Sequence, residues 1–111
     1  MKLVIHSNKT FWGHVWHIIT DDGHGHVAAS IENNKKNTIF LYGLSVIPTS
    51  RNKGIGKELI KAVEDIGKEN DKHRCILSIE KPKSWLYDFY INLGYEYKKE
   101  DKEYIYLIKK I

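Results

Sequence analysis

Alternating apolar and polar positions divide the first part of the chain into β-strands. Residues 15–20 and 26–31 are rich in β-branched and aromatic side chains and flank a glycine-rich turn, so they predict a β-hairpin. Residues 2–6 predict a shorter strand before the hairpin, followed by a polar link at residues 7–13. The nearly continuous apolar run at residues 38–47 is typical of a strand buried on both faces in the middle of a sheet.

The hydrophobic period then changes from that of a strand to that of a helix. Apolar residues recur at three- and four-residue spacing from Ile55 to Ile66, which predicts an amphipathic helix that ends within residues 67–71. On this helix Glu64 and Lys68 have the spacing of an ion pair across one turn.

The last third of the chain predicts a strand, a helix and a closing hairpin. Residues 74–80 form the strand, and residues 82–93 form the helix, which Gly94 is suited to cap. Residues 95–98 and 104–108 alternate around a charged turn. A strand–helix–strand crossover joins two parallel strands by a right-handed connection, so the strands before and after the first helix should pair in parallel. The other strands should be antiparallel. The predicted fold class is therefore α+β, a mixed sheet covered by helices.

Composition is that of one soluble globular domain over residues 1–111, with 41% hydrophobic and 29% charged residues. We expect no membrane span and no signal peptide, since no apolar run approaches the necessary length. The single cysteine, Cys75, excludes an intramolecular disulfide and favours a cytoplasmic location. The net charge of +4 favours anionic partners, but only two residues are arginine, which argues against a nucleic-acid interface. No metal site is predicted.

A loop with two glycines joins the long apolar strand to the first predicted helix. The backbone N–H groups of a first helical turn have no internal partners and lie at the positive end of the helix dipole, so they form an anion site. Gly54 and Gly56 allow a phosphate to approach the backbone closely, and Arg51 and Lys53 add positive charge. Neither the P-loop nor the dinucleotide fingerprint fits this spacing.

Two motifs in this order resemble the GNAT superfamily of N-acetyltransferases. Arg-x-x-Gly-x-Gly at residues 51–56 follows a strand that ends in Leu-Ser-Val-Ile-Pro at residues 44–48. One strand later comes Phe-Tyr-Ile-Asn-Leu-Gly-Tyr at residues 89–95. The resemblance covers residues 38–97 and implies the family's fold, a mixed and mostly antiparallel sheet whose central parallel pair splays apart at the cofactor site. It also implies acetyl-CoA as the cofactor.

The resemblance implies which residues contact acetyl-CoA. The strand end would pair with the pantetheine arm through Leu44, Ser45 and Val46. The loop would hold the pyrophosphate, mostly through backbone N–H groups, with Arg51, Asn52, Lys53, Gly54, Ile55 and Gly56. Two lysines, Lys57 and Lys83, would lie near the phosphates. Many members carry an asparagine at the position of Lys83, so this chain departs from the pattern there.

Tyr90 matches the family tyrosine whose hydroxyl faces the cofactor sulfur. A hydroxyl with an ordinary pKa of about 10 can protonate the leaving thiolate. The alternative interpretation of Tyr90 is an aromatic side chain with a purely structural role in the core. The base that deprotonates the acceptor is less defined, because residues 38–47 contain no carboxylate. His17 and Glu32, on neighbouring strands, are the candidates, and the alternative for both is an exposed hairpin face.

One departure from the family concerns the wall of the acceptor site. Members usually have two helices between the first two strands, but only residues 7–14 are available here, so these helices should be missing or reduced. We therefore expect an open acceptor cleft, suited to an amine on a bulky acceptor such as a protein lysine or N-terminus. Two alternatives remain open: an acyl-CoA-binding regulatory module with little or no catalysis, and a small basic nucleic-acid-binding domain. The oligomeric state is not predicted.

Overall fold

The computed structural model describes residues 2–51 and 53–111, which form a seven-stranded sheet with helices on one face. The strands are β1 (Leu3–Thr10), β2 (Gly13–Thr20), β3 (Gly25–Glu32), β4 (Thr38–Val46), β5 (Arg74–Glu80), β6 (Glu96–Glu100) and β7 (Tyr104–Lys110). The helices are α1 (Ile55–Glu69) and α2 (Trp85–Asn92), and a 3₁₀ turn at Pro48–Ser50 lies between β4 and α1.

The sheet has the order β1-β2-β3-β4-β5-β7-β6. Strands β4 and β5, joined by α1, pair in parallel, and the other neighbouring strands of the described residues pair antiparallel. The predicted α+β class with a central parallel pair is confirmed. As expected for a mid-sheet strand, β4 is buried at its start, although it becomes exposed after Leu41.

A tight hairpin stands where the family has its first two helices. The predicted polar link is wrong for residues 7–10, because β1 continues to Thr10 and pairs with β2 along its length. Phe11 and Trp12 make the turn, and the Gly13 N–H donates to the Thr10 hydroxyl at 3.1 Å. A side chain at position 13 would clash with the Ile31 carbonyl, since an added Cβ would lie 2.0 Å from that oxygen. The expectation that these helices are missing is confirmed.

The hydrophobic core lies between the helices and one face of the sheet. Leu59, Ile60 and Val63 of α1 are buried against alternate residues of the strands, among them Ile18 and Leu77. Alternation sends the intervening side chains to the opposite face. No helix formed by the described residues packs there, and apolar side chains on it stay partly exposed: Val15, Ile19, Phe40, Ile76 and Ile108.

Glu64 of α1 pairs with Tyr95, which precedes β6, and with Lys109 of β7, so the predicted pair with Lys68 is wrong. The Tyr95 hydroxyl donates to Glu64 Oε2 at 2.9 Å, and Lys109 Nζ of β7 lies 3.1 Å from both carboxylate oxygens. Glu64 is only 8% exposed, because it lies at the border of the apolar face of α1. There the buried partners outcompete an exposed lysine on the same helix.

Helix α2 begins three residues later than the predicted start at Pro82. Ser84 is its N-cap, and its hydroxyl accepts a hydrogen bond from the Leu86 N–H at 3.3 Å. Gly94 follows the helix with a φ of +96°, which confirms it as the end of the helix. Neither helix of the described residues is long and apolar enough to cross a membrane.

Candidate functional site

The two parallel strands in the middle of the sheet separate halfway along their length. Strands β4 and β5 pair from Thr38 with Arg74 to Leu41 with Leu77, and no pairing follows among the described residues. Residues 42–46 of β4 therefore leave the backbone groups on their β5 side without a strand partner, while β3 still pairs with the other side. Another extended chain could use these free groups. The predicted splay is confirmed.

A β-bulge in β4 accompanies the separation. The register between β3 and β4 shifts by one residue between His26 and Ala28, so β4 carries one extra residue there. Gly43 lies in this segment with a φ of +68°, a conformation that glycine adopts without strain. A bulge bends the strand that carries it, which accounts for β4 turning away from β5 at this point.

The N-terminus of α1 opens at the end of this separated segment. Its N-cap is Gly54, with a φ of +80°, and no side chain of the described residues caps the helix there. The free N–H groups of the first turn and the positive end of the dipole are thus available to an anion. Arg51, Lys53 and Lys57 are exposed around this turn, which contains one acidic residue, Glu58.

A cleft of about 570 Å³ lies between the end of β4, the loop, α1 and α2. Eight of the predicted cofactor residues line it: Leu44, Ser45, Val46, Arg51, Gly54, Ile55, Gly56 and Lys57. Four lining residues were missed by the sequence prediction: Ser50, Trp85, Leu86 and Phe89. The helical spacing of Trp85, Leu86 and Phe89 is the sequence signal that could have identified the last three.

Three predicted cofactor residues are not placed in the lining of this cleft. Lys53 is exposed on the loop, and Asn52 lies outside the described residues. Lys83 precedes α2, and its ammonium nitrogen lies 4.1 Å from the centre of the Tyr87 ring. The contact of Lys83 with the cofactor stays a prediction.

Arg51 connects three sides of the cleft. Its Nε donates to the Val46 carbonyl at 3.1 Å, and its guanidinium carbon lies 5.7 Å from the centre of the Trp85 ring. Trp85 in turn meets Phe89 edge to face, with ring centres 5.7 Å apart. The loop, the end of β4 and the start of α2 are thereby held together by one side chain.

The turn between β2 and β3 contacts and supports the loop that joins β4 to α1. The His24 carbonyl accepts a hydrogen bond from the Ile47 N–H at 2.9 Å, and His24 Nδ1 lies 2.9 Å from the hydroxyl of buried Ser50. Asp22 fixes His24, because its Oδ1 accepts from the His24 N–H at 2.9 Å. That hydrogen bond and one from the Thr20 hydroxyl hold the pKa of Asp22 below its usual value.

Tyr90 lies beneath the cleft rather than in its lining. It is 3% exposed, with its ring 5.2 Å from that of Phe89 and 5.5 Å from that of Tyr95. Its hydroxyl makes no hydrogen bond to another described residue. Burial, and to a lesser degree the neighbouring Cys75 thiol, raises the pKa of Tyr90 above its usual value. Burial also raises the pKa of Cys75 to about 12.

The two candidate bases lie at different distances from the separated strands. His17 is exposed on the face opposite the helices, and its Nδ1 lies 3.1 Å from Nε2 of His26, which pairs with Ser45 of the cleft. Glu32 is at the far end of β3, six residues beyond His26, or about 20 Å at the rise of an extended strand. His17 thus lies nearer than Glu32 to the separated end of β4, and the base role of either residue stays a prediction.

Comparisons with known proteins agree with this geometry. The chain is similar in structure to the PaiA N-acetyltransferase of Thermoplasma acidophilum in complex with coenzyme A, with a TM-score of 0.75 and 24% identity. The match covers 87% of this chain and 60% of that one, so the chain spans less than two thirds of that protein. A search of the curated proteins found no significant match.

Two Bacillus proteins match over nearly their whole length. The IAA acetyltransferase of Bacillus cereus has a TM-score of 0.75 and 11% identity, over 99% of this chain and 100% of that one. The Bacillus subtilis acetyltransferase in complex with CoA has a TM-score of 0.73 and 12% identity, over 99% of both chains. At these identities the likeness shows the fold.

The family is shown by the sequence itself. The model of the acetyltransferase (GNAT) family matches residues 4–95, which include the bulged strand, the glycine loop and the helix that carries Tyr90. Taken with the splayed strands and the uncapped helix start, this match shows that the chain belongs to the GNAT family of acetyltransferases.

Proposed function

We propose that this protein is an N-acetyltransferase that moves the acetyl group of acetyl-CoA to a primary amine. The observation that carries the proposal is the position of the strand separation, which opens directly at the uncapped N-terminus of α1. One continuous stretch of backbone can therefore hold both an extended amide-bearing arm and a pyrophosphate.

The residues of the cleft fit the parts of acetyl-CoA. Leu44, Ser45 and Val46 offer free backbone groups to the two amides of the pantetheine arm, in the way that a peptide adds to a sheet edge. The first helical turn, residues 54–57, offers N–H groups to the pyrophosphate, and Arg51, Lys53 and Lys57 add positive charge. Trp85 and Phe89 supply an apolar wall on the opposite side.

Tyr90 is the proton donor in this proposal. An acid must keep its proton until the thiolate leaves, and burial favours the protonated hydroxyl by raising its pKa. A hydroxyl without a hydrogen bond to another described residue can turn toward an incoming sulfur. Amine attack and loss of the thiolate then need no metal ion.

The acceptor side of the sheet is open, which favours a bulky acceptor. The hairpin turn at Phe11 and Trp12 replaces the helices that would enclose a small molecule, and the adjoining sheet face is bare. We propose the amine of a protein lysine or N-terminus, since a small amine needs an enclosed site for tight binding. The lone, buried thiol of Cys75 suits a reducing compartment, and we place the reaction in the cytoplasm.

Calorimetry with acetyl-CoA and CoA, followed by assays of thiol release with proteins and small amines, tests the proposal. We expect both ligands to bind and proteins to turn over faster than small amines. Tyr90→Phe should lower kcat about 100-fold with little change in acetyl-CoA affinity. The matched control is Tyr87→Phe on the same helix, which keeps the ring under Lys83 and should leave kcat unchanged.

The burial of Tyr90 also favours a second candidate, an acyl-CoA-binding module without catalysis. Its side chain is only 3% exposed, and residues 38–47 carry no carboxylate. Tight binding of acetyl-CoA without transfer to any acceptor would select this candidate, whereas failure to bind either ligand would reject both.

A further inference from the structure

Two histidines on the bare face of the sheet form a connected pair that leads to the bulge of β4. His17 of β2 is exposed, and His26 of β3 is half-buried beside it, with ring centres 5.4 Å apart and ring planes inclined by 22°. Nδ1 of His17 lies 3.1 Å from Nε2 of His26, and Nδ1 of His26 lies 3.2 Å from the Gly43 carbonyl oxygen.

The carbonyl decides where the protons of both rings lie. A carbonyl oxygen can only accept a hydrogen bond, so the hydrogen at this contact must be on Nδ1 of His26. In the neutral ring the other nitrogen, Nε2, then has a lone pair and accepts the hydrogen from Nδ1 of His17. The neutral His17 ring is left with its lone pair on Nε2, the nitrogen directed away from His26.

The pair lies in the row of residues that reaches the strand separation. His17 pairs with Ala28, and Ala28 pairs with Tyr42, so these three side chains share one face. Tyr42 is the first residue of β4 beyond its last pair with β5, Leu41 with Leu77. Two strand spacings, about 10 Å, separate His17 from Tyr42 along the row. This face is bare, so an acceptor can approach it.

We propose that His17 takes the proton of the acceptor amine at Nε2 through water, and that His26 is the positioning residue that keeps this nitrogen unprotonated. This inference rests on the proposed acetyl transfer. The amine nitrogen forms its bond to the acetyl carbon while the carbon–sulfur bond breaks and its electron pair goes to sulfur. His17 receives the first proton of the acceptor ammonium before attack. Tyr90 gives its proton to the sulfur and takes the second proton from the nitrogen as the amide forms, so charge and protons balance.

Few titratable groups surround the pair. His6 of β1 pairs with His17 across the strands, His26 faces it from β3, and Tyr42 of β4 lies beyond Ala28. No carboxylate of the described residues hydrogen-bonds either ring of the pair. The direction of the hydrogen bonds is therefore set by the Gly43 carbonyl alone.

Long-range ¹⁵N–¹³C spectra of the imidazole rings, recorded on the free protein at a pH where the rings are neutral, test the arrangement without any assay. We expect both His17 and His26 as Nδ1–H tautomers, and we expect His17 to lose that preference in His26→Ala. An Nε2–H tautomer at His17 in the unmodified protein overturns the proposal.

Kinetics test the role of the pair in proton transfer. His17→Gln should lower kcat about 100-fold near neutral pH, with the deficit shrinking as the pH rises and the amine deprotonates in bulk water. His26→Ala should lower kcat about tenfold, and neither change should move the KM for acetyl-CoA. The control is His14→Gln, because His14 faces the other side of β2, stacked on Trp16 at 4.0 Å.

The outcomes separate this inference from the proposed function. Suppose that the unmodified protein transfers acetyl groups. If the His17→Gln variant then keeps more than half of the kcat, or if its loss of kcat is the same at every pH, the base role is rejected and the proposed function stands. If the unmodified protein binds acetyl-CoA but acetylates nothing, the proposed function is rejected and the base role with it, whatever the tautomers are.

Discussion

The two halves of the nine-residue strand β4 differ in strand pairing and in exposure to solvent. The first half, up to Leu41, has a strand on each side, packs under α1 and is buried. The second half, residues 42–46, keeps β3 on one side, has lost β5 on the other and is largely exposed. One extra residue at the bulge, with Gly43 at positive φ, separates these states.

The difference shows how a stable sheet can contain an unpaired backbone. Unpaired backbone groups are costly when buried, so a protein that keeps them free for a ligand must leave them open to water until the ligand arrives. The paired half fixes the position of the second half, and the tie from His24 to Ser50 holds the loop that follows it. Rigidity and access thus come from adjacent segments of one strand.

The largest effect should come from truncating the paired half. Leu41→Ala, at a residue 3% exposed, should lower the free energy of unfolding by about 3 kcal/mol because it leaves a cavity in the core. The adjacent change Tyr42→Ala, at a residue 44% exposed, should lower it by less than about 1 kcal/mol. Urea denaturation measures both. Equal losses would show that the core does not end at Leu41.

A smaller effect, on binding rather than folding, should follow from straining the helix start. Gly54→Ala forces a side chain into the left-handed region at the N-cap of α1 and should weaken CoA binding about tenfold, by displacing the N–H groups of the first turn. Gly94→Ala is the matched control, since it introduces similar strain at the end of α2. Calorimetry should find normal CoA affinity in the control, and a tenfold loss there would refute the assignment.

The support behind the loop should matter less than the loop itself. His24→Ala removes the side-chain contact to Ser50 and should weaken CoA binding about fivefold, the order expected for one hydrogen bond. Because the backbone bond from Ile47 remains, kcat should not change. His73→Ala, at the opposite end of the sheet, is the control. A fall in kcat with unchanged affinity would contradict a supporting role.

The smallest effect concerns the exposed turn that fixes His24. The folded protein holds the pKa of Asp22 below its ordinary value of 3.8, so the ionised carboxylate stabilises the fold above that pH and the benefit is lost as the pH falls below it. Asp22→Asn should therefore be slightly destabilising near neutral pH and neutral in acid. Urea titrations of both proteins at the two pH values measure the difference. A constant difference would show that charge plays no part.

The sequence predicted those parts of the site that depend on neighbours along the chain. Gly54 and the start of α1 follow from a strand, a glycine loop and a helical period in succession, and all three are local signals. The hydrophobic pattern does not predict the separation of β4 from β5, because both halves of β4 are apolar. The prediction of this separation came from the resemblance to the family, which rests on the two motifs.

The features that were missed depend on residues distant in sequence. His24 and Ser50 are 26 positions apart, and nothing in either segment indicates that the β2–β3 turn meets the loop. Glu64 was assigned a partner on its own helix, but Lys109, 45 positions away, reaches it from β7. Trp85 is 56% exposed and lies at the cleft beneath the Arg51 guanidinium, a contact between two segments that the local pattern of neither one indicates.

In the proposed acetyltransferase, the tight turn at Phe11 and Trp12 is the position at which a wall for the acceptor could be added. The turn lies at the surface, with Phe11 96% exposed, and its neighbours are held by the β1–β2 pairing rather than by the turn itself. Lengthening a surface loop costs little, about 0.6 kcal/mol for each doubling of its length. In the proposed enzyme, a segment that selects an acceptor could therefore be inserted at this turn while the cleft between β4, α1 and α2 stays unaltered, so acceptor selectivity and acetyl transfer could evolve independently.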